Sequence, residues 1–232
     1  KSKPSQSSHT ASWPEQIRLA MQPNTKLVSV MGVNNETGAL APVQEIYKIC
    51  EQAQVLFHTD ATQALGKFPH SGEFDFLTSS AHKWGGPPGV GLLACSNTGF
   101  KHLQAIICGN QFSKLRGGTE NTPGICALEK ALQITHRNRK TKNNHLKNMQ
   151  QLFCKLLDTQ PLFNTNQSRV FEQHKPVILK ITPDCSSPNT LMLSAVCMHA
   201  DYNYICGLKL KKQLYQQNII RSEERRVGKE CA

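Results

Sequence analysis

The residue best placed to do chemistry is Lys83, in the segment Asp75-Phe-Leu-Thr-Ser-Ser-Ala-His-Lys83-Trp-Gly-Gly-Pro-Pro-Gly89. Phe74, Phe76, Leu77 and Thr78 form an apolar, β-favouring run that predicts a short buried strand. The small residues Ser79, Ser80 and Ala81 then deliver His82 and Lys83 to the strand end, and a Gly/Pro cluster turns the backbone at once. Ligands bind at the carboxyl ends of strands in open α/β sheets. A lysine held there among small residues can act as an amine nucleophile. Taken alone, a lysine at a turn is an ordinary solvated charge. Three other segments change that balance: Val33-Asn-Asn-Glu-Thr-Gly38, His58-Thr-Asp-Ala-Thr-Gln63 and Arg116-Gly-Gly-Thr-Glu-Asn121.

Ser80-Ala-His-Lys83 resembles the Schiff-base lysine signature of the class V aminotransferase family, specifically its cysteine desulfurase (NifS-like) branch. The three other segments match that branch in the same order. The resemblance implies an α/β, fold-type-I transferase dependent on pyridoxal 5'-phosphate. Such a fold has a mostly parallel sheet with helices on both faces, followed in this chain by part of a smaller α+β C-terminal domain. It implies that Lys83 forms the imine with the cofactor and then serves as base or acid at the substrate α-carbon. Asp60 matches the carboxylate against the pyridine nitrogen, where it favours the protonated ring. A strand-end helix cap is the plain structural alternative for Asp60. Gln63 matches the donor to the ring hydroxyl, and Asn35 the residue near that same oxygen, although a short amide there could equally make an Asx turn. Ser80 and His82 match phosphate-side contacts, since a hydroxyl and an imidazole N–H are donors suited to an anionic oxygen. In Arg116-Gly-Gly-Thr119 the glycines let the backbone approach a ligand. The family uses this threonine, Thr119, to reach the phosphate of the neighbouring subunit's cofactor, which implies a homodimer with composite sites.

The implied reaction takes sulfur from L-cysteine onto an enzyme cysteine with release of L-alanine. A sulfur-acceptor protein then feeds iron–sulfur cluster assembly or tRNA thiolation. Another class V enzyme, a selenocysteine lyase or an aminotransferase-like protein, is the near alternative. A non-catalytic scaffold is the alternative from another class, and the set Asp60, Gln63 and Lys83 argues against it, because a scaffold has no chemical need of an imine-forming lysine.

Departures from the family pattern matter as much. No segment of this sequence matches the family's earlier small-residue phosphate contact and ring-stacking histidine. Asn218-Ile219-Ile220 resembles the strand leading into the mobile loop that carries the persulfide-forming cysteine, but residues 221–232 then read, codon by codon through Cys231, as a translated sequencing adapter. The expectation is a piece of a longer enzyme, inactive as a desulfurase by itself, with its nucleophilic cysteine beyond residue 220. The expected divisions are 11–135, part of the cofactor-binding domain; 136–220, a linking helix and part of the small domain; and 221–232, not native.

The elements that must position these residues follow from periodicity. Ser12-Trp-Pro-Glu15 predicts a helix start, and the helix ends before Pro23. Strands are expected at Leu27-Val-Ser-Val-Met31, from Val55-Leu-Phe57 to Asp60, and at Gly89-Val-Gly-Leu-Leu-Ala94, with a helix from Pro42 to about Ala53. This alternation at short spacing predicts βα units. Helical spacing runs from Thr122 to about Leu157, with a polar patch at 136–145 breaking its rhythm. Beyond it, Val177–Ile181 reads as a strand and Thr190–Val196 and Ile205–Gln217 as helices.

Composition sets the remaining bounds. With 232 residues, 38% of them hydrophobic, the chain can bury a large core. No apolar run is long enough for a membrane span, and no secretory leader opens the chain. The nine cysteines (Cys50, Cys95, Cys108, Cys126, Cys154, Cys185, Cys197, Cys206 and Cys231) include no CxxC pair. That set favours reduced thiols in an intracellular compartment, cytoplasmic or organellar, over a disulfide frame or a metal site, and most read as small core residues. The net charge of +11 invites a nucleic-acid reading. Its densest run, His136-Arg-Asn-Arg-Lys-Thr-Lys142, lacks interleaved aromatics and reads instead as a solvated helix face, so no direct nucleic-acid binding is expected.

Overall fold

The structure, a computed structural model, describes residues 12–68, 73–111, 114–158, 163–164, 176–180, 182 and 185–197. Helix α1 (Trp13–Ala20) starts where the proline predicts, and Glu15 pairs with Arg18 one turn on at 2.6 Å. Ser12 supplies its carbonyl to Gln16 N–H but no side-chain cap. Strand β1 (Leu27–Met31), helix α2 (Val43–Gln52) and strand β2 (Leu56–Asp60) follow within a residue or two of expectation. Strand β3 (Phe76–Ser80), a 3-10 turn (Ala81–Trp84) and strand β4 (Gly91–Cys95) complete the first sheet.

That sheet has the order β1-β2-β3-β4, with β1, β2 and β3 parallel and β4 antiparallel to β3. Alternation along each strand decides what lies beneath α2. Phe57, fully buried, faces Ile46 and Cys50 of α2, with Ile17, Val28 and Val30 packed around them. Further along, Leu77 meets Val33, Ala61 and Ala64. The short helix α3 (Asn97–Phe100) follows β4, capped by the Ser96 hydroxyl, which accepts from Gly99 N–H at 3.0 Å. Asp75 ties this corner together: one carboxylate oxygen accepts from Phe57 N–H at 2.9 Å and the other from the Ser96 hydroxyl at 3.1 Å.

Helix α4 (Thr122–Asp158) runs 37 residues without a break, straight through the polar patch and across residues 135 and 136. Its basic run is mostly exposed, as a solvated face requires. Thr135 is the exception to that polarity. It is buried, and its hydroxyl donates to the Trp84 carbonyl at 2.8 Å.

A second sheet contains β5 (Phe163–Asn164), β6 (Pro176–Lys180) and β7 (Leu193–Cys197), in that order. The helix expected over Thr190–Val196 is therefore corrected. Leu193, Ala195 and their neighbours are good helix formers, but Leu193–Cys197 pairs antiparallel with Pro176–Lys180, and interstrand bonding overrides the local preference. The helix expected over Ile205–Gln217 lies outside the described residues, as do residues 198–232. The cysteines also differ from expectation. Cys50 is a core residue, whereas Cys108, Cys126 and Cys185 are exposed; Ile106 and Ile107 beside Cys108 lie on the surface with it. Among the described residues no helix is long and apolar enough to cross a membrane.

Candidate active site

The three parallel strands end side by side, and the chain leaving each one contributes to a single cavity of about 150 Å³. Its lining is Met31 and Val33 from the end of β1, Asn35 from the loop beyond, Asp60, Thr62 and Gln63 from the end of β2, and Lys83 from the turn after β3. Four of the residues singled out from sequence thus converge from three separate segments.

Each is held by identifiable local bonding. The loop after β1 is a tight hairpin: Val33 bridges Leu40, and Gly38 adopts φ +76°, a conformation that favours glycine. Asn34, not Asn35, makes the Asx turn, its side-chain oxygen accepting from Glu36 N–H at 2.9 Å and Thr37 N–H at 2.8 Å. Asn35, the next residue, lines the cavity. Asp60 lines the cavity and also closes a strand-end turn, its Oδ1 accepting from Thr62 N–H at 2.8 Å. The bond fixes the plane of the carboxylate at the strand end.

Lys83 sits in the 3-10 turn, half-buried, between exposed His82 and fully buried Trp84. Trp84 anchors that turn. Its indole Nε1–H donates to the Ser79 hydroxyl at 3.0 Å, and its carbonyl accepts from Thr135 of α4. Gly85 closes the turn at φ +98°.

Ser80, His82 and Thr119 are not among the cavity's lining residues. Ser80 ends β3 opposite Gly91, His82 is exposed on the turn, and Thr119 is exposed in the loop before α4. Two residues that matter to this site escape sequence reasoning. Trp84 reads as an ordinary part of the turn. Lys67, buried at 7% exposure, donates from its amine to Gln63 Oε1 at 2.9 Å. Burial, with Lys142 and Lys83 nearby, depresses the Lys67 amine from its ordinary 10.5 to about 8. Its only sequence signal is position, four residues beyond Gln63 on a turn.

The donor set has a definite chemical complement. An amine that can attack a carbonyl, a carboxylate that favours a protonated ring nitrogen and two amides suited to a ring oxygen fit a pyridoxal-type aldehyde.

Comparison with known proteins agrees with that complement. Residues 4–184 match the family model described as Aminotransferase class-V. A cysteine desulfurase IscS of Clostridium botulinum is 41% identical over 138 residues, covering 58% of this chain and 34% of that protein. Among solved structures, a NifS-like protein superposes with a TM-score of 0.71 at 29% identity, covering 91% of this chain and 53% of the other. DndA from Streptomyces lividans gives 0.65 at 28%, covering 88% and 54%. The chain thus spans about a third of the curated relative's length and about half of each solved structure. With strand order, cavity and a match over residues 4–184 in agreement, the chain belongs to the class-V aminotransferase family, whose members work with pyridoxal phosphate, and is similar to its cysteine desulfurases.

Proposed function

We propose that this chain is the lysine-bearing part of a pyridoxal-phosphate-dependent cysteine desulfurase, acting on L-cysteine. The observation that carries the reading is the meeting of Lys83, Asp60, Gln63 and Asn35 in one cavity at the ends of parallel strands. When bound, pyridoxal phosphate supplies an electron sink for negative charge developing at the substrate α-carbon. Lys83 would hold the cofactor through its side-chain amine, and the same amine would move the proton at the substrate α-carbon. Asp60, with Oδ1 already engaged by Thr62 N–H, presents a carboxylate with fixed orientation to the ring nitrogen. Gln63 and Asn35 bind the ring oxygen. Ser80 and His82 take the phosphate side, and Thr119 serves the site of a second copy in a homodimer. Transfer of the sulfur needs a thiolate nucleophile, and its onward delivery a sulfur-acceptor protein.

The test is capture. Pyridoxal phosphate added to the chain and fixed with borohydride should label Lys83, found by peptide mapping. Sulfide release from L-cysteine with added reductant, measured on a longer form that carries the loop with the nucleophilic cysteine, tests the substrate. A label on Lys67 or Lys114 instead of Lys83 would sink the assignment.

A further inference from the structure

Lys67 is a buried amine for which the described residues provide no carboxylate partner: the charges acting on it are the cations Lys142 and Lys83. Its amine donates to Gln63 Oε1 at 2.9 Å. Its backbone is pinned as well. Lys67 N–H donates to the Ala64 carbonyl, and its own carbonyl accepts from the side-chain amide of Asn143 on α4. Gly66, at φ +77°, abuts Thr135 of the same helix. A buried cation without a counter-ion costs stability, and an apolar side chain would fill this place more favourably. Packing therefore does not account for the amine.

We propose that Lys67 is a positioning residue of this site, which orients the Gln63 carboxamide so that its N–H donors, and not its oxygen, face the cavity. The inference rests on the reading of the cavity as the cofactor site. Its logic is the donor inventory of the two side chains. A lysine amine carries N–H donors, so the amide atom that meets it must be oxygen. It holds for the charged amine, the form that dominates near neutral pH, which has no lone pair to accept an amide N–H. With Oε1 committed, the amide offers only Nε2 to the cavity. The site thereby becomes selective for a ligand that presents an acceptor at that position, such as the oxygen of an ionised ring hydroxyl. The positive charge one amide away favours the anionic form of that acceptor further. Without Lys67, the amide can turn and present its oxygen, which would repel the same group.

Two measurements on the full chain test this. In the cofactor-free protein, the Gln63 side-chain N–H₂ resonances, assigned by their loss in Gln63→Leu, should move in Lys67→Met. Titration with pyridoxal phosphate, followed by absorbance, should show affinity weakened roughly five- to tenfold in Lys67→Met, the effect of one lost hydrogen bond. Gln63→Leu alone should weaken it similarly, and Lys67→Met should add nothing in the Gln63→Leu background. Unmoved Gln63 resonances, or a Lys67→Met effect that persists undiminished without Gln63, would overturn the inference. If the Gln63 resonances move but wild-type protein captures no pyridoxal phosphate, the orientation of the amide is upheld and the cofactor reading of the cavity is what falls.

Discussion

Replacing Lys67 by Met should stabilise the protein near neutral pH and lose that advantage in alkali. Lys67 is 7% exposed as a residue, and its amine's affinity for a proton falls from an ordinary 10.5 to about 8 on folding, chiefly through burial. Between those values the unfolded chain binds more protons than the folded one, so stability rises with pH across that window. The penalty is fully present below about pH 8 and gone above about pH 10.5. At about 1.4 kcal/mol per pH unit, the charged amine costs the folded state about 3 kcal/mol at pH 7 and less than about 1 kcal/mol at pH 10. Methionine avoids that cost but forfeits the bond to Gln63, worth about 1 kcal/mol.

The net expectation is a variant about 2 kcal/mol more stable than wild type at pH 7, with the gap essentially closed at pH 10. Urea melts of both proteins, followed by tryptophan fluorescence, measure it. Comparing the two at each pH cancels the titration of every other group that behaves alike in both. A gap that stays constant within about 0.5 kcal/mol from pH 7 to pH 10 would refute the claim that a desolvated charge sits at this position.

Other outcomes follow from the same geometry. Asp60→Ala should retain the borohydride label on Lys83 yet slow α-proton exchange on a bound amino acid by on the order of 10²-fold or more, read by deuterium uptake; near-normal exchange would remove Asp60 from its role at the ring nitrogen. Gly66→Ala should cost about 2–3 kcal/mol, because its φ of +77° strains an L-residue and the added methyl meets Thr135 Cγ2. Thr135→Ser, which deletes that methyl and keeps the hydroxyl bond to Trp84, should recover part of the loss in denaturant melts; no recovery would exonerate the contact. Cys50, fully buried and with its thiol pushed up to about 11, should resist iodoacetamide in native protein while Cys108, Cys126 and Cys185 react, as mass spectrometry of the quenched digest can show.

Much of the first sheet was legible because its strands are short apolar runs bounded by turn residues. The elements near Leu27, Leu56 and Phe76 need only local pattern to be found. Asn35, Asp60, Gln63 and Lys83 were marked by the family resemblance, and their convergence agrees with the rule that parallel strands in α/β sheets gather their exits on one side. What failed was whatever depended on distant partners. Leu193–Cys197 is a strand only because Pro176–Lys180 lies beside it. The cysteine at 108 looked like a core residue from its isoleucine neighbours, although adjacency in sequence says nothing about which side of a loop faces inward. Asn34 and Asn35 are chemically identical, and only the hairpin's φ/ψ angles decide which amide turns back to the backbone.

The least legible part is the support behind the cavity, and it has a single source. Thr135 and Asn143, eight residues apart on α4, bond to the Trp84 carbonyl and the Lys67 carbonyl respectively. One helix therefore fixes both the turn that carries Lys83 and the turn that carries the lysine behind Gln63. Nothing in the spacing of Thr135 or Asn143 marks them, because both lie in or beside the polar stretch that reads as a solvated face. Thr135 is buried against the opposite wall, where Gly66 lacks a side chain and lets the helix approach, and Asn143 is half-buried further along the helix. The polar patch is thus two surfaces in one: cations outward, and a threonine and an asparagine inward. A break in α4 at this patch would loosen Lys83 and Gln63 together, so the unbroken helical path through residues 136–145 is a requirement of the site as much as of the fold.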